Sequence, residues 1–223
     1  MLEIKELIAI VENSLDINII AYEKVGKSIN SSVFFIKDEK EREYVLKFAS
    51  NTTPSPYNLK KIVSNELNFM QKHPVLTGNI LIFGGESQSY SWVLEKKVLG
   101  KNISKYISKN KKKGILSDKK LIKLLDSLFR LVGSFHKKNC VHGDLQPAHI
   151  IIDNKKEATI NLIDFGLSHD FTKQINFYKG GMIYFNAPEV CEQMFVGKEV
   201  CCDPLAEIYS LGASLYWAFT KHS

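Results

Sequence analysis

A chain of 223 residues is long enough to bury one large hydrophobic core or two small ones. Apolar residues make up 44% of it and charged residues 24%, which is typical of folded globular proteins and argues against intrinsic disorder. The net charge of +6 is modest, and the four cysteines lack the C-x-x-C spacing of a zinc site or the framework of a disulfide-rich protein.

The opening stretch, MLEIKELIAIVENSL, carries charges where a signal peptide needs an apolar run. It predicts an amphipathic helix instead. No apolar run in the sequence approaches the roughly 20 residues of a membrane-spanning helix. We therefore expect a cytoplasmic protein with reduced thiols and no membrane span.

The part of the chain that follows the opening helix alternates strand patterns with turns. Strand composition occurs from Ile19 to Val25, in VFFIK and in YVLKFAS, with the charged turn DEKERE before the last of these. Leu59 to Met70 has its apolar residues on one helical face, and NILIFGG and SYSWVLE predict two more strands. The first part of the chain is therefore predicted to be mostly β-structure.

From about Gly100 the pattern becomes helical. Apolar spacing predicts a helix from Leu121 to Phe135 with Ser117 as its N-cap, and a last helix from Leu205 to Phe219. Two short strands, HIIID and TINLID, lie between these helices. We predict two lobes, a β-rich lobe of residues 1–97 and a helical lobe of residues 98–223.

Lysines clustered around Gly114 predict a basic surface loop. A solvated surface is the simplest interpretation of this cluster, although it could also attract an acidic substrate or a membrane surface. Because no aromatic residues are interleaved with these lysines to stack on bases, we expect no nucleic-acid partner.

A glycine- and serine-rich segment, GKSINSSV, runs from Gly26 to Val33 between two predicted strands. It has the spacing of a phosphate-covering loop, with Ser28 and Ser31 at the second and third glycine positions. Small residues let backbone N–H groups approach phosphate oxygens. Taken alone, the segment fits an ordinary hairpin turn better.

Two charged residues are placed to act on a phosphate. Lys47 ends the alternating strand pattern Y-V-L-K, which would direct its ammonium inward, although a surface lysine would fit the same pattern. Glu66, on the next predicted helix, could pair with Lys47 and hold it against a phosphate oxygen.

Two aspartates lie next to predicted apolar strands: Asp144 precedes one strand, and Asp164 follows the next. Asp164, in L-I-D-F-G-L, is suited to hold Mg²⁺, which prefers hard oxygen ligands and bridging phosphates. Asp144 lies in VHGDLQPAHIII, on a loop twenty residues earlier. A hairpin of two strands would bring both carboxylates to one edge, where one could orient a hydroxyl while the other holds metal.

These motifs together resemble a protein kinase of the eukaryotic (Ser/Thr) type over nearly the whole chain. The order is glycine-rich loop, Y-V-L-K, helix glutamate, V-H-G-D-L-Q-P-A-H-I, D-F-G, then A-P-E at Ala187 to Glu189 and Y-S-L-G at Tyr209 to Gly212. The resemblance implies an α+β, bilobal protein-kinase-like fold that binds ATP and Mg²⁺. Its catalytic residues would be Asp144, Lys47 and Glu66, and Asp164 would bind metal.

The resemblance also implies a set of nucleotide-binding residues. Val33 and Val45 would cover the adenine from one side and Ile151 from the other, Leu94 would be the gatekeeper, and Glu95 to Lys97 would form the hinge. The nucleotide-binding residues expected in this way are Gly26, Ser28, Ser31, Val33, Val45, Lys47, Leu94, Glu95, Lys97 and Ile151.

The sequence departs from the family pattern around Asp144. Gly143 replaces an arginine, Gln146 a lysine, and Met182 a threonine before A-P-E. His149 stands where the family has a metal-binding asparagine. Because Mg²⁺ prefers oxygen, His149 is expected to bind Mg²⁺ weakly, to favour Mn²⁺, to contact phosphate, or to have a purely structural role.

The chain ends at Ser223, so the resemblance implies a C-lobe without the family's later helices. The last helix is apolar over most of its circumference and needs cover. A naturally minimal lobe, a further segment, a partner chain or self-association would each meet this need.

Three functions are compatible with these residues. The first is a Ser/Thr-type protein kinase acting on a protein or peptide. The second is a weakly active or inactive pseudokinase that binds nucleotide, as the changes at Gln146, His149 and Met182 would allow. The third is a small-molecule kinase of the aminoglycoside phosphotransferase type, which the H-G-D form of the loop also resembles.

Overall fold

The predicted order of a β-rich part followed by a helical part is confirmed by a computed structural model. It describes residues 4–25, 32–51, 58–153, 159–173, 181–197, 200 and 202–220. The chain divides into two compact units, the first of residues 1–64 and 80–97 and the second of residues 65–79 and 98–223. One boundary between the units follows Lys97, where the limit between the lobes was predicted. Residues 65–79, however, belong to the second unit. The predicted lobes of residues 1–97 and 98–223 stay a prediction.

The first unit contains the helix and strands expected from its sequence patterns. Its elements are α1 (Ile4–Leu15), β1 (Ile19–Lys24), β2 (Ser32–Asp38), β3 (Glu43–Ser50), the beginning of α2 (Leu59–Lys72), β4 (Leu81–Glu86) and β5 (Tyr90–Lys96). Among the described residues the strands form an antiparallel sheet in the order β1-β2-β3-β5-β4.

The two faces of this sheet have different roles. In β3, Leu46 is fully buried and belongs to a core with Trp92 and Leu94 of β5. Leu7 and Val11 of α1 join that core, as the amphipathic pattern predicts. Because side chains alternate along a strand, Lys47 and its neighbours two residues away lie on the opposite face.

The charged turn between β2 and β3 is organised by one carboxylate. Asp38 accepts hydrogen bonds from the backbone N–H groups of Lys40 and Arg42, at 3.0 and 2.9 Å. It also accepts from Nε of Arg42 at 2.6 Å and from the hydroxyl of Tyr44 at 2.9 Å. Burial alone would raise the pKa of Asp38, but these hydrogen bonds outweigh it and lower the pKa below its ordinary value.

The second unit contains the longer helices and three short strand pairs. Its elements are the end of α2, β6 (Lys101–Asn102), α3 (Ile103–Lys112), α4 (Asp118–His136), β7 (Cys140–Val141), a 3₁₀ turn (Pro147–His149), β8 (Ile150–Asp153), β9 (Thr159–Leu162), β10 (His169–Asp170), α5 (Pro188–Phe195) and α6 (Pro204–Thr220). Within the described part of the chain β6, β8 and β9 form one sheet, and β7 pairs with β10.

Two sequence predictions about this unit have different outcomes. Ser117 caps α4 as predicted, its Oγ accepting from the N–H of Lys120 at 3.4 Å. The predicted basic loop is wrong in part, because α3 extends to Lys112 and places Lys109, Lys111 and Lys112 in its last turn. Ile103 and Ile107 are both buried, and their spacing is that of a helix. The many lysines around them made the segment look like a surface loop in the sequence.

The last helix, α6, buries Leu211 and Ala218, while Leu205 and Tyr216 are exposed. Across the described ranges, no helix combines the length and apolar character needed to cross a membrane.

The Asp38 turn gives a prediction about stability and pH. Asp38→Asn is expected to lower the free energy of unfolding at neutral pH, because the amide loses the charge that four donors stabilise. A lowered pKa means that the wild-type advantage is present above the ordinary pKa of 3.8 and is lost as the pH falls through the lower pKa of the folded state. Urea denaturation of both proteins at about pH 7 and about pH 3 measures this difference.

The control is Asp126→Asn, which changes an exposed aspartate on α4. It should have little effect at either pH. A wild-type advantage over Asp38→Asn that stays constant down to the acidic condition would contradict the assigned role of the carboxylate.

Candidate active site

The loop between β7 and β8 is held by contacts from its own side chains. The Nε2 of His142 donates to the carbonyl of Ile163 at 3.0 Å, and its Nδ1 lies 3.4 Å from the N–H of Asp144. Its ring is 5.3 Å from that of Phe165. His142 therefore has a structural role behind Phe165, with a partner at each ring nitrogen.

Asp144 is surrounded by donors. Its Oδ2 accepts from Nε2 of Gln146 at 3.1 Å, and its Oδ1 accepts from the N–H of Met182 at 3.3 Å. Gly181 lies so close that a Cβ there would be 2.4 Å from Oδ1. Burial raises the pKa of Asp144 and the charge of Asp164 acts in the same direction, against the opposing effects of His149, Met182 and Gln146. The carboxyl is therefore a stronger base than an ordinary aspartate.

His149 lies between Asp144, the predicted catalytic aspartate, and Asp164, the predicted metal-binding aspartate. Its Nδ1 lies 2.9 Å from the backbone carbonyl of Asp144 and 3.6 Å from Oδ2 of that residue. Its Nε2 lies 3.3 Å from Oδ2 of Asp164. Because a carbonyl oxygen only accepts hydrogen bonds, Nδ1 carries the proton and Nε2 is the nitrogen that faces Asp164.

Asp164 stands at the end of β9 in a left-handed backbone conformation, with φ of 69°. Few residues other than glycine adopt this conformation, so the surrounding contacts have to hold it. The N–H of Ile163 bonds to the carbonyl of His149 at 3.1 Å, just before the turn. The carboxylate of Asp164 is 45% exposed and is therefore accessible to a ligand.

The second half of α2 binds the segment that follows Asp164. Glu66 is buried, and its Oε1 accepts from the N–H of Phe165 at 2.8 Å. Asn65 donates to the carbonyls of Gly166 and Ser168, at 3.0 and 2.9 Å. Phe165 also stacks on Phe69 of α2, with ring centroids 6.1 Å apart. The predicted pair of Glu66 with Lys47 joins residues of different units and stays a prediction.

A buried carboxylate from α6, that of Glu207, holds the loop between β7 and β8 by hydrogen bonds. Oε1 of Glu207 accepts from the N–H groups of His142 and Gly143, at 2.5 and 3.0 Å. Its Oε2 lies 2.8 Å from Nε2 of His136 at the end of α4. Both carboxylate oxygens of Glu207 therefore have partners.

In the first unit, Lys47 lies on the sheet face opposite the α1 core. Its Nζ is 3.5 Å from Oε1 of Glu95, and both side chains are largely buried. Strand register pairs Lys47 with Val33 and Val93, and Val45 with Glu95, on this face. The predicted hinge residue Glu95 thus contacts the predicted phosphate-binding lysine.

The same register corrects the prediction for Leu94. It pairs with Leu46 and is fully buried in the core beside α1, on the face away from Lys47. The residue of β5 beside Val45 is Glu95, so Leu94 does not share the face on which a gatekeeper was expected. A shift of one residue along a strand exchanges its faces, and the sequence alone could not fix that register.

The remaining predicted nucleotide contacts are placed as follows. Val33 and Val45 are half-buried on the face of Lys47, and Ile151 is half-buried in β8 of the second unit. Lys97 pairs with Glu43 at 2.8 Å and lies over the ring of Phe35. Three residues of the predicted phosphate-covering loop lie outside the described residues: Gly26, Ser28 and Ser31.

Several residues of this site were not expected from the sequence to make these contacts. Gln146 and Met182 were noted only as departures from a family pattern, yet both donate to Asp144. The contact of His136 with Glu207 joins residues 71 positions apart and has no local sequence signal. Among the described residues no group of three or more His, Cys, Asp or Glu side chains is arranged to hold a metal ion by itself.

A β-rich unit, a helical unit and the ordered motifs V-H-G-D, D-F-G and A-P-E are the features expected of the protein-kinase class. The family model of the protein kinase domain matches residues 20–223. The chain belongs to the protein kinase family, and the predicted recognition and α+β fold are confirmed.

Individual relatives have lower and more local similarity. Calcium-dependent protein kinase 6 of Plasmodium berghei (strain Anka) is 31% identical over 117 residues, which are 52% of this chain and 7% of that protein. The probable serine/threonine-protein kinase zyg-1 of Caenorhabditis briggsae is 34% identical over 116 residues, 51% of this chain and 15% of the relative. Serine/threonine-protein kinase nekl-2 of Caenorhabditis elegans is 24% identical over 190 residues, 81% of this chain and 50% of the relative. The chain spans at most half the length of these three proteins.

The Glu207 contacts give a second prediction. Glu207→Ala is expected to lower the free energy of unfolding by about 3 kcal/mol, because two buried N–H groups and His136 lose their acceptor. Glu192→Ala removes an exposed glutamate from α5 and is the matched control. Equal urea midpoints for the two variants would show that Glu207 does not support the loop.

Proposed function

We propose that this chain is an ATP-dependent phosphotransferase that transfers the γ-phosphate to a serine or threonine hydroxyl of a protein or peptide. The observation that supports this most strongly is the grouping of Asp144, His149 and Asp164 in one cluster. Membership of the protein kinase family and the serine/threonine kinases among its relatives support the same class of reaction.

In this proposal Asp144 acts on the acceptor hydroxyl. The hydroxyl oxygen forms a bond to the γ-phosphorus while the bond from phosphorus to the ADP oxygen breaks, and the hydroxyl proton passes to the carboxylate of Asp144. The raised pKa of Asp144 favours this transfer. Gln146 and Met182 each donate to one carboxylate oxygen, and the second lone pair of either oxygen can accept from an incoming hydroxyl.

Lys47 would neutralise phosphate charge, with Glu66 as its proposed partner and Glu95 as an additional contact. A lysine ammonium is a compact positive charge, and it can donate hydrogen bonds to phosphate oxygens without requiring one fixed geometry. In the first unit, the half-buried Val33 and Val45 supply apolar surface of the kind that an adenine ring needs, and the contact of Ile151 with the ring stays a prediction.

The residues present fit a divalent cation. Nε2 of His149 and Oδ2 of Asp164 face each other at 3.3 Å, and in the neutral ring both present lone pairs. A shared cation would relieve this repulsion, and phosphate oxygens would complete its shell. When bound, the cation neutralises charge on the phosphates. One imidazole and one carboxylate suit Mn²⁺ better than Mg²⁺.

A second candidate function is nucleotide binding without catalysis. It is favoured by the engagement of both Asp144 oxygens by Gln146 and Met182. In that case ATP with Mg²⁺ or Mn²⁺ would raise the melting temperature, and no phosphate would be transferred.

The first experiment tests transfer itself. The purified chain is incubated with ATP and Mg²⁺ or Mn²⁺ and a library of serine and threonine peptides, and products are measured by mass spectrometry. Asp144→Asn and Asp164→Asn should each lower the rate by at least about 100-fold, because each removes a charged group at the reacting atoms. Asp118→Asn, at an exposed position on α4, should keep the wild-type rate.

Labelling that is equal in all four proteins would overturn the proposal. Absence of labelling together with a nucleotide-dependent rise in melting temperature would favour the second candidate. Transfer to small alcohols or amino sugars but to no peptide would contradict the proposed acceptor class.

The second experiment tests the metal preference. In the wild-type protein, ATP should raise the melting temperature more with Mn²⁺ than with Mg²⁺, because an imidazole nitrogen is part of the proposed site. His149→Asn exchanges this nitrogen for an amide oxygen and should reverse the preference. The reference is Asp118→Asn, which changes an exposed residue and leaves every histidine in place. His169→Asn would be a poor control because His169 is buried. An unchanged Mn²⁺ to Mg²⁺ ratio in His149→Asn would remove His149 from the metal site.

A further inference from the structure

The positive charge of this chain is concentrated in one segment. From Lys101 to Lys123 there are nine lysines and a single acidic residue, Asp118. Removing these from the 30 basic and 24 acidic residues of the chain leaves 21 basic and 23 acidic residues elsewhere. The net charge of +6 therefore arises entirely within this segment.

Helix α3 arranges part of this charge in a line. Lys105, Lys109 and Lys113 follow one another at intervals of four residues, so they share one side of the helix, and all three are exposed. Lys101, in β6, precedes the helix, and its side chain interacts with that of Lys109. We refer to these four residues as the basic row.

The members of the basic row repel one another. Contact between the ammonium groups of Lys101 and Lys109 lowers the pKa of Lys101, and the charges of Lys113 and Lys105 act in the same direction. Lysines that approach this closely raise the free energy of the chain, and an anion bound among them would lower it.

Helix stability does not account for the whole row. Lysines in the last turn of α3 interact favourably with the helix dipole, which explains Lys109 and its neighbours. Lys105 is in the first turn and Lys101 precedes it, where positive charge is unfavourable. These two residues therefore require another explanation.

The basic row belongs to the same unit as the proposed catalytic loop. Lys101 pairs with Ile152 of β8, and α3 contacts both β8 and the 3₁₀ turn that ends at His149. A ligand on this row would be held by the body that carries Asp144.

We propose that the basic row binds an acidic segment of the protein acceptor, separate from the hydroxyl that receives phosphate. This inference rests on the proposed function and adds a substrate class to it. Four residues of a helix rise by about 6 Å, and alternate residues of an extended peptide are about 6.6 Å apart. Every second side chain of an extended acidic peptide can therefore meet successive lysines of the row.

An acidic peptide fits this row better than a membrane surface does. Binding in the plane of a membrane requires apolar side chains beside the charges, and the apolar residues Ile103 and Ile107 of α3 are buried. Lipid and nucleic acid nevertheless enter the experiment as competing ligands.

The experiment measures binding and does not depend on phosphate transfer. Fluorescence anisotropy is recorded with a labelled peptide of alternating glutamate and glycine, and with the same peptide carrying glutamine. The combined variant Lys105→Gln, Lys109→Gln, Lys113→Gln is compared with Lys40→Gln, Lys72→Gln, Lys137→Gln, which removes the same charge at scattered exposed positions. Thermal melting shows that both variants are folded.

The wild-type protein should bind the glutamate peptide in preference to the glutamine peptide, and salt should weaken that binding. The combined variant in the basic row should bind about tenfold more weakly, because three exposed ion pairs are lost. The scattered variant should stay within about twofold of the wild type.

Equal affinities for the two combined variants would overturn the proposal. Tighter binding of a single-stranded oligonucleotide or of phosphatidylserine vesicles than of the glutamate peptide would overturn it as well. If phosphate transfer is found, the basic-row variant should raise KM for an acceptor with an acidic segment and leave kcat unchanged. Failure of transfer alone would count against the proposed function and not against this binding result.

Discussion

The loop between β7 and β8, which carries Asp144, depends on hydrogen bonds to the carboxylate of Glu207. This carboxylate accepts two backbone N–H groups from His142 and Gly143 and contacts His136, so it connects α6, the loop and the end of α4. A buried charge is costly unless it is fully hydrogen-bonded, and here each oxygen has a partner. The position of Asp144, two residues after His142, follows from this anchor and from the contact of His142 with Ile163.

The loop thus anchored brings two carboxylates close to one histidine. Burial and, to a smaller degree, the like charge of Asp164 disfavour the ionised form of Asp144 and raise its pKa. The left-handed conformation of Asp164 adds to this cost. Such costs are typical of functional sites, where ligand binding and catalysis require groups that stability alone would not select.

The sequence predicted most of the fold and much of this site, and its failures have physical causes. Asp144, Asp164 and Glu66 lie in local patterns and could be found from them, whereas the face occupied by Leu94 depends on strand register. Gly143 stood out only as a missing arginine. The structure gives it a reason, since φ is 79° and a Cβ would lie 2.4 Å from the carbonyl of Leu167. That close approach pairs segments distant in sequence and leaves no local signal.

The departures from the family pattern are not independent of one another. Gln146 replaces a lysine and Met182 a threonine, and both now donate neutral hydrogen bonds to the same carboxylate, Asp144. Neutral donors satisfy that carboxylate without adding charge beside an acceptor, so the loop itself offers little electrostatic selectivity. Selectivity for a charged acceptor then has to come from another surface of the same unit. The segment from Lys101 to Lys123, which contains α3 and carries nine lysines and one acidic residue, is more positively charged than the whole chain and would meet that requirement.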